Sequence, residues 1–310
     1  FFDHQQRDKK KGILLPDATI GDEKKAVVVL VIGESARREN FSLYGYRKNT
    51  NPLLSQTANL FHFPAISTAT FTTATVKSML QHDKNDDFHE ILPNYLHRNN
   101  VEVIWRTTNS GEPPLHIEQY QTRDSLKQYY KGEESDWDEI LLAGLKEQIM
   151  ASKKNKVLVV IHTSISHGPN YSKKYPPRFE IFKPVCHNVE LAECPQEELI
   201  NAYDNTILYT DYILYQLIEA LKQLHEYQSA MIYLSDHGES LGENNMYMHG
   251  VPMSLAPKEQ YEIPFIVWLS DSTREMKANE LLSQYHVFHS VLHFLHLQTP
   301  IYDEEMNIFK

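Results

Sequence analysis

The sequence predicts an α/β fold in which helices cover both faces of a mostly parallel central sheet. Residues 26–32 form a continuous aliphatic and β-branched run, which is typical of a strand buried on both faces. Similar runs occur at 156–161 and 263–269, and helical patterns separate the predicted strands. Polar residues follow several of these runs, and this is where open α/β sheets place their binding sites.

The length and net charge of the chain limit the number of domains and the kinds of partner that it can have. The chain has 310 residues, enough for one large domain with a substantial core, and a formal net charge of −11. The acidic balance excludes nucleic acid as a partner, because binding to phosphate backbones needs clustered Lys and Arg. We expect a monomer.

The N-terminal residues are expected to be a linker. Residues 1–25 are polar, whereas residues 26–310 carry the patterns of the predicted catalytic domain. No apolar run reaches the roughly 20 residues that a membrane helix needs. The chain begins at Phe1 without a signal-peptide pattern, so we expect a membrane region upstream of this sequence. The basic run at 7–11 fits a juxtamembrane segment, although a solvated tail is the favoured interpretation.

The other elements follow the chain in order. The turn at Gly33 is expected to run into a helix. The hydroxyl-rich residues 67–75 are expected to cap the start of another helix, where an anion can also bind. Further predictions are strands at 61–66, 101–105 and 230–234, helices at 87–98, 137–150 and 197–224, and a C-terminal helix with four histidines.

These four histidines lie on one helical face, since His286, His289, His293 and His296 are spaced by three, four and three residues. A pair at positions i and i+4 can bind a metal. Apolar residues fill the other positions, however, and no acidic residue is interleaved. The pattern therefore favours packing over a metal site.

Chemistry-bearing residues follow the predicted strands at several points. Glu34 follows the first strand, and Asp236 and His237 follow the strand that ends at Leu234. Two carboxylates and one imidazole leave a fourth Zn²⁺ position for a nucleophile, and the hydroxyls around Thr72 can supply one. The histidines at 167 and 249 are suited to hold a phosphate or to protonate a leaving group. The set indicates metal-dependent phosphoryl or sulfuryl transfer.

The two cysteines, Cys186 and Cys194, are eight residues apart in a Pro-flanked loop. This spacing fits a short disulfide loop in an oxidising compartment. Two free thiols are the alternative.

Four segments together resemble a known enzyme family. They read VVLVIGESARRENFSLYGYRKNTNPLL, TTATVKSML, SISHGPNYSKKYP and YLSDHGESLGENNMYMHGVP, and they span much of residues 26–297. They are similar to the phosphoethanolamine transferases of Gram-negative envelopes, the EptA, EptC and MCR group of the alkaline phosphatase/sulfatase superfamily. Within this group they most resemble EptC. The resemblance implies that the predicted α/β fold is of the alkaline phosphatase/sulfatase type.

The resemblance also implies roles for individual residues. Glu34, Asp236 and His237 match the family's zinc ligands, and Thr72 matches its nucleophile, which also contacts the metal. Thr70 and Thr73 are the alternative registers for that nucleophile. His167 and His249 match the histidines that bind the donor phosphate or a second zinc, one of them as general acid. Cys186 and Cys194 match a family disulfide.

The chain departs from the family at three places. Thr68 and Ser78 stand where relatives often have cysteines around the nucleophile, and Lys77 replaces a proline. Residues 106–110 differ from the Asp-Asn pattern that many relatives have near the substrate. Asn109 is nevertheless expected to bind substrate.

The implied function is zinc-dependent transfer of phosphoethanolamine from phosphatidylethanolamine to lipid A phosphate, or to another envelope glycan or protein, through a phosphoethanolamine-threonine intermediate. The implied place is the periplasmic side of the inner membrane, with modified lipopolysaccharide and polymyxin resistance as consequences. One zinc is expected, with room for a second. A sulfatase or phosphodiesterase and a catalytically inactive binding domain are the alternatives. The usual sulfatase signature, C/S-x-P-x-R, is not found at either cysteine.

Overall fold

A computed structural model of the chain describes residues 12–130, 136–277 and 281–310. Its α-helices are α1 (Thr72–Met79), α2 (Leu92–Arg98), α3 (Arg123–Leu126), α4 (Leu145–Met150), α5 (Gln196–Lys222) and α6 (His286–Phe294). Its strands are β1 (Thr19–Ile20), β2 (Ala26–Gly33), β3 (Leu60–Ile66), β4 (Glu102–Thr107), β5 (Gln119–Thr122), β6 (Lys156–His162), β7 (Gln228–Ser235), β8 (Ser240–Leu241), β9 (Tyr247–Met248), β10 (Glu262–Leu269), β11 (Leu282–Ser283) and β12 (Leu297–Gln298).

Eight of these strands form the central sheet, in the order β11-β3-β10-β7-β2-β6-β4-β5. Strand β10 is antiparallel to both of its neighbours, and every other pairing in the sheet is parallel. The predicted α/β class with a mostly parallel sheet is therefore confirmed. The six long strands that the apolar runs predict are all present, within two residues of the expected ends.

Helices cover both faces of the sheet. All eight residues of β2 are buried, and alternate residues contribute to two different hydrophobic clusters. Val28 and Leu30 pack in the cluster that contains α1, α2 and α6, whereas Val27 and Val29 pack in the one that contains α4 and α5. Because successive side chains of a strand point to opposite faces, a run without polar residues fits a strand covered on both sides.

Three predicted helices differ from the structure. The chain after Gly33 forms short 3₁₀ turns in place of a helix, because Ser35 takes a left-handed φ of 54°. The segment at 137–150 is split into a 3₁₀ turn and α4 by Gly144, whose φ is +61°. Helix α2 starts at Leu92 with a proline in its first turn, five residues later than predicted.

Residues 12–25 lie against the domain, although composition alone predicts linker there. Leu15 is buried, the Ile13 N–H donates to the Phe88 carbonyl, and β1 pairs with β12. Residues 1–11 lie outside the described residues, so the linker and the basic run at 7–11 stay predictions there. Among the described helices, none combines the length and the apolar character that a bilayer crossing requires.

The histidines of α6 and the cysteines take structural roles. His289 Nε2 lies 2.7 Å from the His82 carbonyl, its Nδ1 accepts the Asp303 N–H, and none of the four histidines belongs to a candidate metal group within the described residues. His289 is buried, as packing predicts. His296 lies beyond the end of α6 with a left-handed φ of 55°, and 56% of its side chain is exposed, so the prediction of four histidines on one helical face is wrong. Cys186 and Cys194 form a disulfide with Cα atoms 5.9 Å apart, as predicted.

Candidate metal and nucleophile site

The site lies where the central strands end. Residue pairing aligns Gly33 with Ser235 and Ile32 with His162, so the segments after β2, β6 and β7 leave the same edge of the sheet. Glu34 follows β2 directly, and Asp236 and His237 follow β7 directly. Parallel strands bring their carboxyl ends together, and this explains how residues some 200 positions apart become neighbours.

Glu34 is buried and has each carboxylate oxygen engaged. Its Oε1 accepts from the Thr72 hydroxyl at 2.9 Å and from the Ser35 hydroxyl at 3.3 Å. Its Oε2 lies 3.0 Å from the same Thr72 hydroxyl, which has only one proton to donate, and accepts from the Asn109 amide at 2.9 Å. The amide holds the carboxylate in the orientation that faces Thr72.

Asp236 and His237 are fully buried and presented by their own loop. Asp236 Oδ1 accepts the backbone N–H groups of Ser35 and His237, which leaves Oδ2 facing the Thr72 hydroxyl at 2.8 Å. His237 Nδ1 lies 2.7 Å from the Gly238 carbonyl and donates to it. The lone pair of His237 therefore lies on Nε2, 3.4–3.5 Å from the Asp236 and Glu34 oxygens.

Thr72 is the first residue of α1, and its hydroxyl lies among the two carboxylates and His237. Helix starts leave N–H groups without intrahelical partners, which favours negative charge there. The alternative registers lie elsewhere: the Thr70 hydroxyl donates to the Val251 carbonyl, and Thr73 is exposed. The helix starts as predicted, but Phe71 is its N-cap, so no side chain caps it.

His167 and His249 face the same site from its open side. Glu34, His167 and His249 offer ligand atoms that lie within 4.8 Å of one another. His249 is mostly buried and its Nδ1 lies 2.8 Å from Glu239, whereas 46% of the His167 side chain is exposed. The structure thus brings together every residue predicted for the site, and Asn109 reaches it by contacting Glu34.

The charges of the buried groups are strongly coupled. Burial raises the pKa of Asp236 well above its ordinary value, and the Glu34 carboxylate adds to the rise. Burial would also raise the pKa of Glu34, but the neighbouring His237 and Asp236 groups outweigh it and hold that pKa well below the ordinary value. Burial would lower the pKa of His237, yet its contact with Glu34 raises it. Two carboxylates this close repel each other, and a cation between them relieves the repulsion.

The donor set fits a divalent cation. Glu34, Asp236 and His237 offer ligand atoms within 4.8 Å of one another, and all three side chains are buried. One imidazole nitrogen and two carboxylate oxygens are ligands that Zn²⁺ accepts, with a fourth position toward Thr72. The carbonyl bonded to His237 and the amide bonded to Glu34 orient these ligands.

Glu239, which contacts Tyr171, is a residue of the site that the sequence patterns did not identify. Glu239 is fully buried; one of its oxygens contacts His249, and the other accepts the Tyr171 hydroxyl at 2.5 Å. Its position in S-D-H-G-E, two residues after His237, is a signal that could have found it. Gly111 was missed as well: a Cβ there would lie 2.7 Å from the Thr72 methyl group.

Comparison with known proteins agrees with this geometry. The sulfatase family model matches residues 26–297. Phosphoethanolamine transferase EptA of Helicobacter pylori is 42% identical over 295 residues, which cover 91% of this chain and 56% of that protein. The chain spans about half the length of the curated relatives that it matches.

Solved structures agree as well. The C-terminal periplasmic domain of phosphoethanolamine transferase EptC from Campylobacter jejuni is 35% identical, with a TM-score of 0.82 and 94% of each chain covered. The integral membrane protein lipooligosaccharide phosphoethanolamine transferase A from Neisseria meningitidis is 29% identical, with a TM-score of 0.87, and the match covers 99% of this chain and 62% of that one. The chain therefore belongs to the sulfatase family, and within it to the phosphoethanolamine transferases.

Proposed function

We propose that this chain is the catalytic domain of a zinc-dependent enzyme that transfers phosphoethanolamine from phosphatidylethanolamine to lipid A phosphate. One observation carries the proposal: the Thr72 hydroxyl lies within 3.0 Å of two buried carboxylates at the start of a helix. A hydroxyl in this position can act as a nucleophile toward phosphorus. That the transferred group is phosphoethanolamine is inferred from the family to which the chain belongs.

Glu34, Asp236, His237 and the Thr72 hydroxyl would hold one zinc ion, and Glu34, His167 and His249 mark a place for a second. A bound zinc ion lowers the pKa of the hydroxyl and stabilises negative charge on the phosphate oxygens.

In the first step, Thr72 Oγ1 forms a bond to phosphorus and the bond from phosphorus to the glycerol oxygen breaks. The hydroxyl proton is lost to solvent, because Asp236, whose Oδ2 lies 2.8 Å from the hydroxyl, must stay deprotonated to hold the cation. His249 donates a proton to the departing glycerol oxygen, so diacylglycerol leaves as a neutral alcohol. Glu239 holds the Nδ1 side of His249 and directs its Nε2 toward the site.

In the second step, an acceptor oxygen attacks the phosphorus and Thr72 leaves. His249 regains its proton from a protonated acceptor or from solvent, and Thr72 Oγ1 takes up a proton from solvent after it leaves. The N–H groups at the start of α1 stabilise the negative oxygens in both steps. His167, more exposed than His249, is placed to contact the phosphate on the open side, and Asn109 can bind substrate from its position beside Glu34.

The cellular setting follows from the same proposal. Donor and acceptor are lipids, so the domain would act on the periplasmic side of the inner membrane of a Gram-negative bacterium, joined to a membrane region. The disulfide fits an oxidising compartment. Modification of lipid A phosphate reduces negative charge on the envelope, and resistance to polymyxin is the expected consequence.

The test is release of diacylglycerol from labelled phosphatidylethanolamine by the full-length protein. Thr72→Ala is expected to abolish release, whereas Thr73→Ala, next to it and exposed, keeps most of it. Chelation is expected to stop the wild-type reaction and added zinc to restore it. Release that survives Thr72→Ala, or that needs no metal, contradicts the proposal.

A further inference from the structure

Residues 251–257 form a loop with an apolar, exposed tip. The loop follows His249 and reads V-P-M-S-L-A-P, and residues 252–255 are all exposed. Leu255 keeps 75% of its surface exposed and Met253 keeps 37%. Leaving a leucine this exposed forgoes the favourable free energy of burial, so a surface that covers it would gain that energy.

The loop is held in this shape by its own hydrogen bonds. The Leu255 N–H donates to the Pro252 carbonyl at 2.8 Å, which closes the turn at the tip. At the base, the Val251 N–H donates to the side chain of Gln260, which is fully buried and also bonds the Ser240 hydroxyl. The tip is therefore presented to solvent by a fixed base.

The loop lies beside the nucleophile. The Thr70 hydroxyl donates to the Val251 carbonyl at 2.5 Å, two residues before Thr72. Phe71, between these threonines, keeps 47% of its surface exposed. Exposed apolar side chains thus lie on both of these neighbouring segments.

The charge pattern of the loop differs from that of the chain. Residues 250–257 contain no charged residue, although the chain carries a net charge of −11. Lys258 follows at once and is exposed. An uncharged apolar tip followed by a cation suits the boundary between acyl chains and phosphate groups of a phospholipid bilayer, while the acidic remainder of the chain stays in water.

We propose that the 251–257 loop, together with Phe71, is the surface by which this domain docks on a phospholipid bilayer. The inference rests on the proposed function, because a donor held in a bilayer must bring its phosphorus to Thr72 while its acyl chains stay in the membrane. The tip enters the interface, and Lys258 meets the phosphate groups.

Tryptophan placed at the tip tests the surface without relying on turnover. Leu255→Trp is mixed with vesicles of phosphatidylcholine and phosphatidylethanolamine in equal amounts, and its emission is compared with that of the wild type, which has three tryptophans. A blue shift and quenching by lipids brominated on their acyl chains are expected. The matched control is Met150→Trp, 60% exposed at the end of α4, near the opposite edge of the sheet from the site.

Leu255→Ser provides the second measurement. Its partitioning onto the same vesicles is expected to fall about tenfold, because burial of one leucine side chain changes affinity by that order. Met150→Ser should partition as the wild type does. No blue shift at position 255, an equal shift at position 150, or unchanged partitioning of Leu255→Ser overturns the inference. A blue shift in a protein that releases no diacylglycerol leaves the docking surface in place and removes the proposed function.

Discussion

The contacts of the Thr72 side chain are made with residues that are distant in the chain. Its hydroxyl contacts Glu34, 38 positions away, and Asp236, 164 positions away. Asn109 acts on Thr72 through Glu34. The Asn109 amide donates one hydrogen to Glu34 Oε2 and the other to the Thr163 carbonyl. Each contact restricts the orientation of one ligand, so removal of a neighbour should affect metal binding before it affects folding.

Removal of the Asn109 amide tests that expectation. Asn109→Ala should weaken zinc affinity about 10- to 100-fold, the usual effect of losing a group that orients a metal ligand. The measurement is competition with a chromophoric chelator. Asn94→Ala is the matched control, since its amide bonds the Pro114 carbonyl away from the site. Equal zinc affinity in the two variants would show that Asn109 does not orient Glu34.

Glu239 should act on proton transfer through His249. In Glu239→Gln, the amide can offer only one oxygen to the two donors that the carboxylate now serves, His249 and the Tyr171 hydroxyl. We expect transfer to fall by about two orders of magnitude and its pH profile to change, with zinc affinity unchanged. Tyr171→Phe keeps the contact with His249 and should be milder. If Glu239→Gln shows wild-type rates and pH dependence, His249 does not need this partner.

At the scale of elements, the loops after β2 and β7 depend on close packing. The segment after β3 is also joined to α1, because the Thr68 and Ser78 hydroxyls are hydrogen-bonded to each other at the positions where the resemblance implies cysteines. The loop after His237 contacts backbone directly, with the Gly238 and Glu239 N–H groups donating to the Gln260 and Glu259 carbonyls. This leaves no room for a side chain at Gly238.

Gly238→Ala should therefore destabilise the fold and displace His237. The new Cβ would lie 1.9 Å from the Glu259 carbonyl oxygen, so the backbone must move, at a cost of roughly 1–3 kcal/mol or more in unfolding free energy. Gly45→Ala is the control: its φ is +96° but its Cβ would meet no atom within 4 Å, so only backbone strain of about 1 kcal/mol is added. Denaturant unfolding compares the two variants. Equal losses of unfolding free energy would show that the contact between the new Cβ and the Glu259 carbonyl does not destabilise the fold.

Helix α5 carries a carboxylate that should make stability depend on pH. Asp211 accepts the N–H groups of Leu53 and Leu54, and burial raises its pKa to about 7. The unfolded chain loses this proton near pH 4, whereas the folded chain holds it until about pH 7. Stability should therefore fall between those values, by up to about 4 kcal/mol.

The comparison of unfolding free energies at pH 4.5 and pH 8 measures this effect. Asp211→Asn should flatten the profile even if it lowers stability overall by losing one acceptor. Asp124→Asn, whose parent side chain is 94% exposed, should leave the profile as it is. A profile in Asp211→Asn as steep as in the wild type would place the titrating group elsewhere.

At the scale of the whole molecule, the sequence predicts the central strands and the outline of the site. Continuous runs of β-branched and aliphatic residues such as 26–32 favour a buried strand, and the residues that follow such strands meet at one edge of the sheet. Short strands such as β5 and β11 were missed, because two to four residues carry no periodic signal. The helix predicted after Gly33 was wrong, since the left-handed Ser35 is set by the tertiary contact of its N–H with Asp236.

The contact partners of Asn109 and Glu239 could not be predicted, for the same reason. Each is defined by a partner 75 or 10 residues away that only the folded chain brings near. The register of the nucleophile is a further case, because three threonines within four residues have equal chemistry. Of the three hydroxyls, that of Thr72 lies between Glu34 and Asp236, and this position supports the proposal that Thr72 is the nucleophile.

The central claim is that Thr72 carries the phosphoethanolamine between donor and acceptor. The direct measurement is peptide mass spectrometry of the full-length protein after incubation with zinc and phosphatidylethanolamine, with acceptor left out. We predict a phosphoethanolamine adduct on Thr72 that disappears when acceptor is added and is not formed in Thr72→Ala. An adduct on Thr70 or Thr73, or transfer to acceptor with no adduct on the protein at any time, would contradict the account.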